Sequence, residues 1–224
     1  MELLDRVDQM IDERHLLKHP FYTKWAAGTL PKEALQEYTR QYFAFESAFP
    51  RFLSAMHSRE ERREVRQGIL VNLWDEEQGE ENHAELWLRF AEGVGVSRAD
   101  VESAPRNEAT QRLVDLYAEI TSSEPVVAGM TAMYAYERQV PEVAPSKIEG
   151  LKTHYGITDG PALQFFQVHG ELDIEHSGTE RTLIAGIVGE DGPSVESAAA
   201  RVLDAWNDFL TAVDLPASEA AAAA

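Results

Sequence analysis

Val168-His169-Gly170-Glu171-Leu172-Asp173-Ile174-Glu175-His176 (VHGELDIEH) places two histidines and an aspartate at positions i, i+4 and i+7. At about 100° per residue these three side chains fall within roughly 60° of one another on a helix. Ala162, Phe165, Phe166 and Leu172 share that face, so it points into a core. Two imidazoles and a carboxylate buried together carry a large desolvation cost unless they are paired or hold a cation. The stretch therefore reads as a helix whose inner face is built to grip a metal.

Outward from it, the apolar spacing is helical almost everywhere and no stretch alternates as a strand. Helices are expected over 2–17, 31–57, 59–93, 107–122, 125–154, 160–187 and 193–214. A short turn after Pro20 fills the gap before Gly28. Pro50, Pro141 and Pro145 should kink or break their segments, and Gly79 should interrupt the third. Asp100 to Arg106 reads as a loop, and Thr158-Asp159-Gly160-Pro161 as the cap and first turn of the next helix. The fold class is all-α, a bundle of about seven helices forming one domain over 1–215. A low-complexity tail, 216–224, follows.

A second inward group lies in Leu73-Trp74-Asp75-Glu76-Glu77-Gln78-Gly79-Glu80-Glu81-Asn82-His83. A helical wheel anchored on His83 puts Glu76 in the middle of the apolar face of Ile69, Leu73, Leu86, Trp87 and Phe90. Glu77 and Glu81 point to water. Glu80 lies at the edge of the face and competes as a ligand, because Glu-x-x-His is the spacing of ferritin-like carboxylate sites. A third group is Glu137 in AMYAYERQVP, which shares its face with Met130, Met133, Tyr134, Val140 and Ala144. Three helices thus turn ionisable groups inward: Glu76 (or Glu80) with His83, then Glu137, then His169, Asp173 and His176. Three carboxylates and three imidazoles suit two divalent ions, and oxygen- and imidazole-rich ligation favours iron or manganese. His15, His19, His57 and His154 lack such support and read as surface, capping or structural residues.

Composition narrows the function classes. The chain has 224 residues, 39 acidic against 20 basic side chains, and a net charge of −19, which argues against nucleic acid or an anionic membrane as partner. With no cysteine there is no disulfide, thiolate metal site or cysteine nucleophile. No apolar run approaches the roughly 20 residues of a membrane span, and the first twenty residues carry charges throughout. A cytoplasmic protein, dimeric on frequency alone, is the default expectation.

These residues in this spacing resemble the haem-oxygenase-like di-metal oxidases, within them the CADD-like group. The resemblance covers nearly the whole chain: HPFYTKWAAGTLPKEALQEYTRQYFAFESAFPRFLSAMHS, NLWDEEQGEENHAELWLRFAEGVG, AMYAYERQVPEVAPSKIEGLKTHYGI and HGELDIEHSG. It implies a seven-helix haem-oxygenase-like bundle, also the fold of TenA- and PqqC-like proteins. The implied ligands are Glu76, His83, Glu137, His169, Asp173 and His176, so the resemblance selects Glu76 over Glu80. It further implies two metal ions (Fe/Fe or Fe/Mn), O2 as co-substrate and an external reductant. The implied product is p-aminobenzoate for folate biosynthesis, its ring taken from a tyrosine of the protein itself. That tyrosine matches Tyr22, a lysine implicated as amino-group source matches Lys147, and Tyr38 and Tyr136 match positions near the site. Core packing with a bonded hydroxyl is the competing reading of the tyrosines, and a surface position that of Lys147.

Other readings predict different observations. A TenA-type thiamin hydrolase relies on a cysteine that is absent here, and a PqqC-like oxidase works without metal. A di-iron oxygenase acting on a free small molecule is the enzymatic alternative. A binding or regulatory protein that merely keeps its metal would leave the loaded centre inert to oxygen.

Overall fold

The structure, a computed structural model, describes residues 2–214; the tail expected at 216–224 lies outside them. Among the described residues all regular structure is helical: α1 (Leu3–Glu13), α2 (Pro20–Ala26), α3 (Lys32–Glu46), α4 (Phe49–Arg59), α5 (Arg63–Glu77), α6 (His83–Gly93), α7 (Arg98–Glu102), α8 (Glu108–Ser123), α9 (Val126–Glu137), α10 (Val140–His154), α11 (Gly160–Ile187) and α12 (Gly192–Val213), with a 3-10 turn at Leu16–Lys18.

Breaks near Pro50, Gly79 and Pro141 divide three of the expected seven segments, giving ten helices, and α2 and α7 form between the segments. Pro20, Pro50, Pro141, Pro161 and Pro193 each occupy one of the first two positions of a helix. There the missing N–H costs nothing and the fixed φ is already helical. Pro145, in contrast, is carried inside α10. The expected loop at 100–106 is corrected in part. Arg98–Glu102 forms a short helix because the Ser97 side chain accepts from the Asp100 N–H and caps it.

The architecture centres on α9, in which every residue from Val127 to Glu137 is buried. Such a helix has no solvent face, and this explains its near-continuous apolar sequence. It packs against α8, α11 and α12, while α11 runs along α6 and α10. One hydrophobic core extends from Leu4 to Val213 and is rich in aromatic contacts. Trp87 lies 4.2 Å from Tyr42, and Trp206 stacks on Tyr136 at 4.5 Å and 12°. Among the described residues no helix is long and apolar enough to cross a membrane.

Candidate metal centre

Local sequence decides how each polar side chain reaches the interior. Glu76 ends the inner stripe of α5, and the chain then leaves the helix at Gln78. Gly79 adopts φ +75°, a left-handed conformation that favours glycine. Asn82 then caps α6, its side chain accepting from the Glu85 N–H at 3.0 Å, and His83 becomes the first residue of the new helix. This corrects the single continuous wheel over 59–93: Glu76 and His83 stand on different helices. The turn brings them together, with Glu76 Oε2 2.8 Å from His83 Nδ1. Glu80 is exposed on that turn, as are Glu77 and Glu81. Glu137 closes α9 just before the break ahead of Pro141. His169, Asp173 and His176 are all buried on α11, whose start is capped by Asp159.

The six residues expected to gather do so, from four helices rather than three, in two adjoining groups. Glu76, His83 and His169 form one together with Glu46 of α3; Glu137, Asp173 and His176 form the other. Within each group one donor atom per residue lies within 4.8 Å of the rest. His83 and His169 face each other with ring centroids 4.2 Å apart. His169 Nδ1 is spent on the Phe165 carbonyl at 2.8 Å, fixing the ring so that Nε2 faces Glu76. His176 Nε2 meets Asp75 Oδ2 at 3.0 Å, which leaves Nδ1 toward Asp173. A carboxylate or carbonyl on the far nitrogen is the usual support of a ligating histidine.

Several atoms at the centre are buried without a hydrogen bond: Glu137 Oε2, Asp173 Oδ2 and His176 Nδ1, and also Glu76 Oε2 and His83 Nδ1, which lie 2.8 Å apart but are not aligned for one. Buried polar atoms are almost always satisfied, so this convergence of orphans fits a cation. The electrostatics agree. Burial, reinforced by Asp173, pushes Glu137 up to about 7, and burial lifts Asp173 to about 6 against the pull of His176. Burial and the neighbouring Glu137 raise Glu76 well above its ordinary value. Burial pulls His176 down, but Asp173, Glu137 and Asp75 outweigh it and set it at about 9. His169 is driven well below its usual value by burial and by His83. These groups cannot all carry their charges in a dry core without positive charge among them.

Beside this centre lies an aromatic pocket around Lys147. The lysine is 5% exposed, so the surface reading does not hold. Its Nζ donates to Tyr38 Oη at 2.8 Å and lies 5.3 Å from the centroid of the Tyr22 ring. Burial lowers its pKa to about 7, so near neutrality much of it is free amine. Tyr22 and Tyr38 hydroxyls are 3.4 Å apart, and Tyr136 pairs with Tyr42 at 2.7 Å. All four phenols are buried, and burial raises each pKa. A space of about 10 Å³ is lined by Tyr22, Tyr136, Lys147, Phe166 and His169, among others. That is room for about one water. A larger cavity of about 120 Å³, which shares no lining residue with that space, borders the centre through His176 and is lined also by Met56, Gly68, Asp75 and Glu180.

The sequence reading missed Glu46, Asp75, Glu180, Asn72 and Tyr42. The signal for Glu46 was present: with Tyr38 and Tyr42 it repeats every four residues on the buried stripe of α3. Asn72 donates to Glu137 Oε1 at 2.9 Å. Glu180 lies against Glu137, and burial together with that neighbour keeps its pKa well above normal. The other histidines do as expected where the structure assigns them a role. His15 and His19 accept from the Leu17 and Phe21 N–H groups and cap their turns.

Comparison with known proteins places this geometry. Residues 36–207 match the sequence profile of a family described as iron-containing redox enzymes. A 4-aminobenzoate synthase of Chlamydia muridarum is 38% identical over 97% of this chain and 92% of its own. One of Nitrosomonas europaea is 39% identical over 93% and 89%. Among solved structures, a TenA homologue from Pseudomonas syringae superposes with TM-score 0.83 at 15% identity, covering 94% of this chain and 92% of its own. A CADD-like protein from Nostoc punctiforme gives 0.76 at 18%, covering 99% and 95%. A haem-oxygenase-like helical fold, a buried group of histidines and carboxylates able to hold metal, and the profile match agree: the chain belongs to the iron-containing redox enzyme family.

Proposed function

We propose that this protein forms p-aminobenzoate (4-aminobenzoate) from its own Tyr22 side chain at a di-metal centre held by Glu76, His83, Glu137, His169, Asp173 and His176. The observation that carries the reading is the narrow pocket in which the Lys147 amine stands 5.3 Å from the Tyr22 ring, with His169 in its wall. The free space there is about 10 Å³, room for about one water, which favours the ring already in the pocket as the substrate. The relatives named 4-aminobenzoate synthase support the product. When bound, iron, or iron with manganese, supplies the oxidising power, with O2 as co-substrate and an external reductant.

The chain's own groups do the rest. Lys147, a substantial part of it free amine near neutrality, has the lone pair needed to provide the amino nitrogen. Tyr38 accepts its N–H and holds it over the ring. Tyr136, next to the ligand Glu137, stands between the pocket and the centre and lines both. The surrounding aromatic wall of Trp25 and Phe166 keeps water from the reacting phenol. A homodimer in the cytoplasm belongs to the same reading.

Iron-loaded protein exposed to O2 and reductant should yield p-aminobenzoate, with intact mass showing a fragment lost at Tyr22. Tyr22→Phe should abolish both, and the wild-type gene should rescue a p-aminobenzoate auxotroph. Undiminished product from Tyr22→Phe overturns the proposal. It would favour the second reading, an oxygenase of a free small molecule, for which the 120 Å³ cavity at His176 offers a place.

A further inference from the structure

We infer that Glu46 is a fourth carboxylate donor of the metal centre, joining Glu76, His83 and His169 around one ion while Glu137, Asp173 and His176 hold the other. The inference rests on the metal-binding reading above and adds to it a residue from a fifth helix.

Three observations carry it. The first is placement. Glu46 is only 4% exposed, at the end of α3, and its carboxylate lies with the donor atoms of Glu76, His83 and His169 inside one 4.8 Å group. The second is an unmet need. Glu46 Oε1 is buried and has no hydrogen-bond partner. Lys147, the nearby amine, donates instead to Tyr38. A separate space of about 10 Å³ is lined by Glu46, Glu76, Glu137, His169 and Asp173, so Glu46 faces the void that both groups share.

The third is charge. The six residues discussed so far bring three carboxylates and three neutral imidazoles, which leaves two divalent ions with one uncompensated positive charge. Net charge in a dry core is costly. Glu46 brings the carboxylates to four and the balance to zero.

The two positions are thereby unequal. One has two carboxylates and two imidazoles; the other has three donors and borders the larger cavity through His176. The four-donor position fills first, and the three-donor position keeps room for an exchangeable ligand.

Anaerobic Mn(II) titration, followed by electron paramagnetic resonance and calorimetry, tests this without turnover. Wild type should bind two ions in separable steps. Glu46→Gln, folded by circular dichroism, should weaken the tighter step at least about tenfold, the lower end of what perturbing a metal site costs. A crystal of Mn(II)-loaded wild type, read from manganese anomalous scattering, should place an ion within about 2.6 Å of a Glu46 oxygen. This second measurement decides the matter should the variant fail to fold. Two ions bound with unchanged affinity in Glu46→Gln, or both ions remote from Glu46 in the crystal, overturn the inference and leave the proposed function standing. A wild type that binds no metal overturns the proposed function itself.

Discussion

Lys147 shows how far a single residue can be moved from its ordinary chemistry. Burial among Tyr22, Trp25, Tyr38, Tyr42 and Phe166 strips its ammonium of water, and no carboxylate ion pair compensates among the described contacts. The protonated form is disfavoured and the pKa falls to about 7. Because the free amine is the reactive form, single-turnover product yield at fixed metal loading should rise from pH 6 to pH 8 with an inflection near 7. A flat profile over that range would mean that this amine takes no part. Lys147→Arg keeps a cation but cannot supply a free amine, and should reduce the yield at least about tenfold. At this scale the sequence was legible wherever a polar residue interrupts an apolar stripe, as at Glu76, Glu137 and His169. Glu46 interrupts its stripe in the same way. The pattern that singled out Glu137, on a helix that also lacks histidine, applies equally to Glu46 on the aromatic stripe of α3.

At the scale of elements, the pocket depends on how closely α2 and α10 approach. Gly150 of α10 sits so near α2 that an added Cβ would lie 2.5 Å from Trp25 Cδ1 and 3.2 Å from the Trp25 carbonyl oxygen. The indole cannot simply swing aside, since its Nε1 donates to the Lys147 carbonyl at 3.3 Å and its ring packs on Phe21 and Tyr38. Gly150→Ala should therefore push α2 outward and cost about 1–3 kcal/mol, the range for overpacking a filled interior. Thermal unfolding would measure it, and a melting temperature equal to wild type would contradict the close packing. Metal content should be unaffected, since no ligand lies on α2 or α10. Such inter-helix distances are not encoded in periodicity. The sequence marked Gly79 and Pro141 as breaks, because φ preferences are local, but it did not show that the break at Gly79 would put Glu76 and His83 within 2.8 Å.

For the whole molecule, the all-helical class followed from spacing alone. So did the convergence of inward polar groups, because one core forces faces that are apolar on separate helices to meet. The neighbourhood of Tyr22 and Lys147, 125 positions apart in the chain, came only from the resemblance; no local pattern links them. The turn between α5 and α6 has a global consequence. Residues 77–81 are exposed and rich in glutamate, whereas both flanking side chains, Glu76 and His83, reach the centre. An ion held by both would act as a clasp on an otherwise vulnerable strap. A glutamate-specific endopeptidase should nick the metal-free chain after Glu77, Glu80 or Glu81 and spare the Mn(II)-loaded one, whereas equal cutting would show the strap unfastened. Digestion speed would then serve as a gauge of occupancy, readable on a gel before any colour or product is sought.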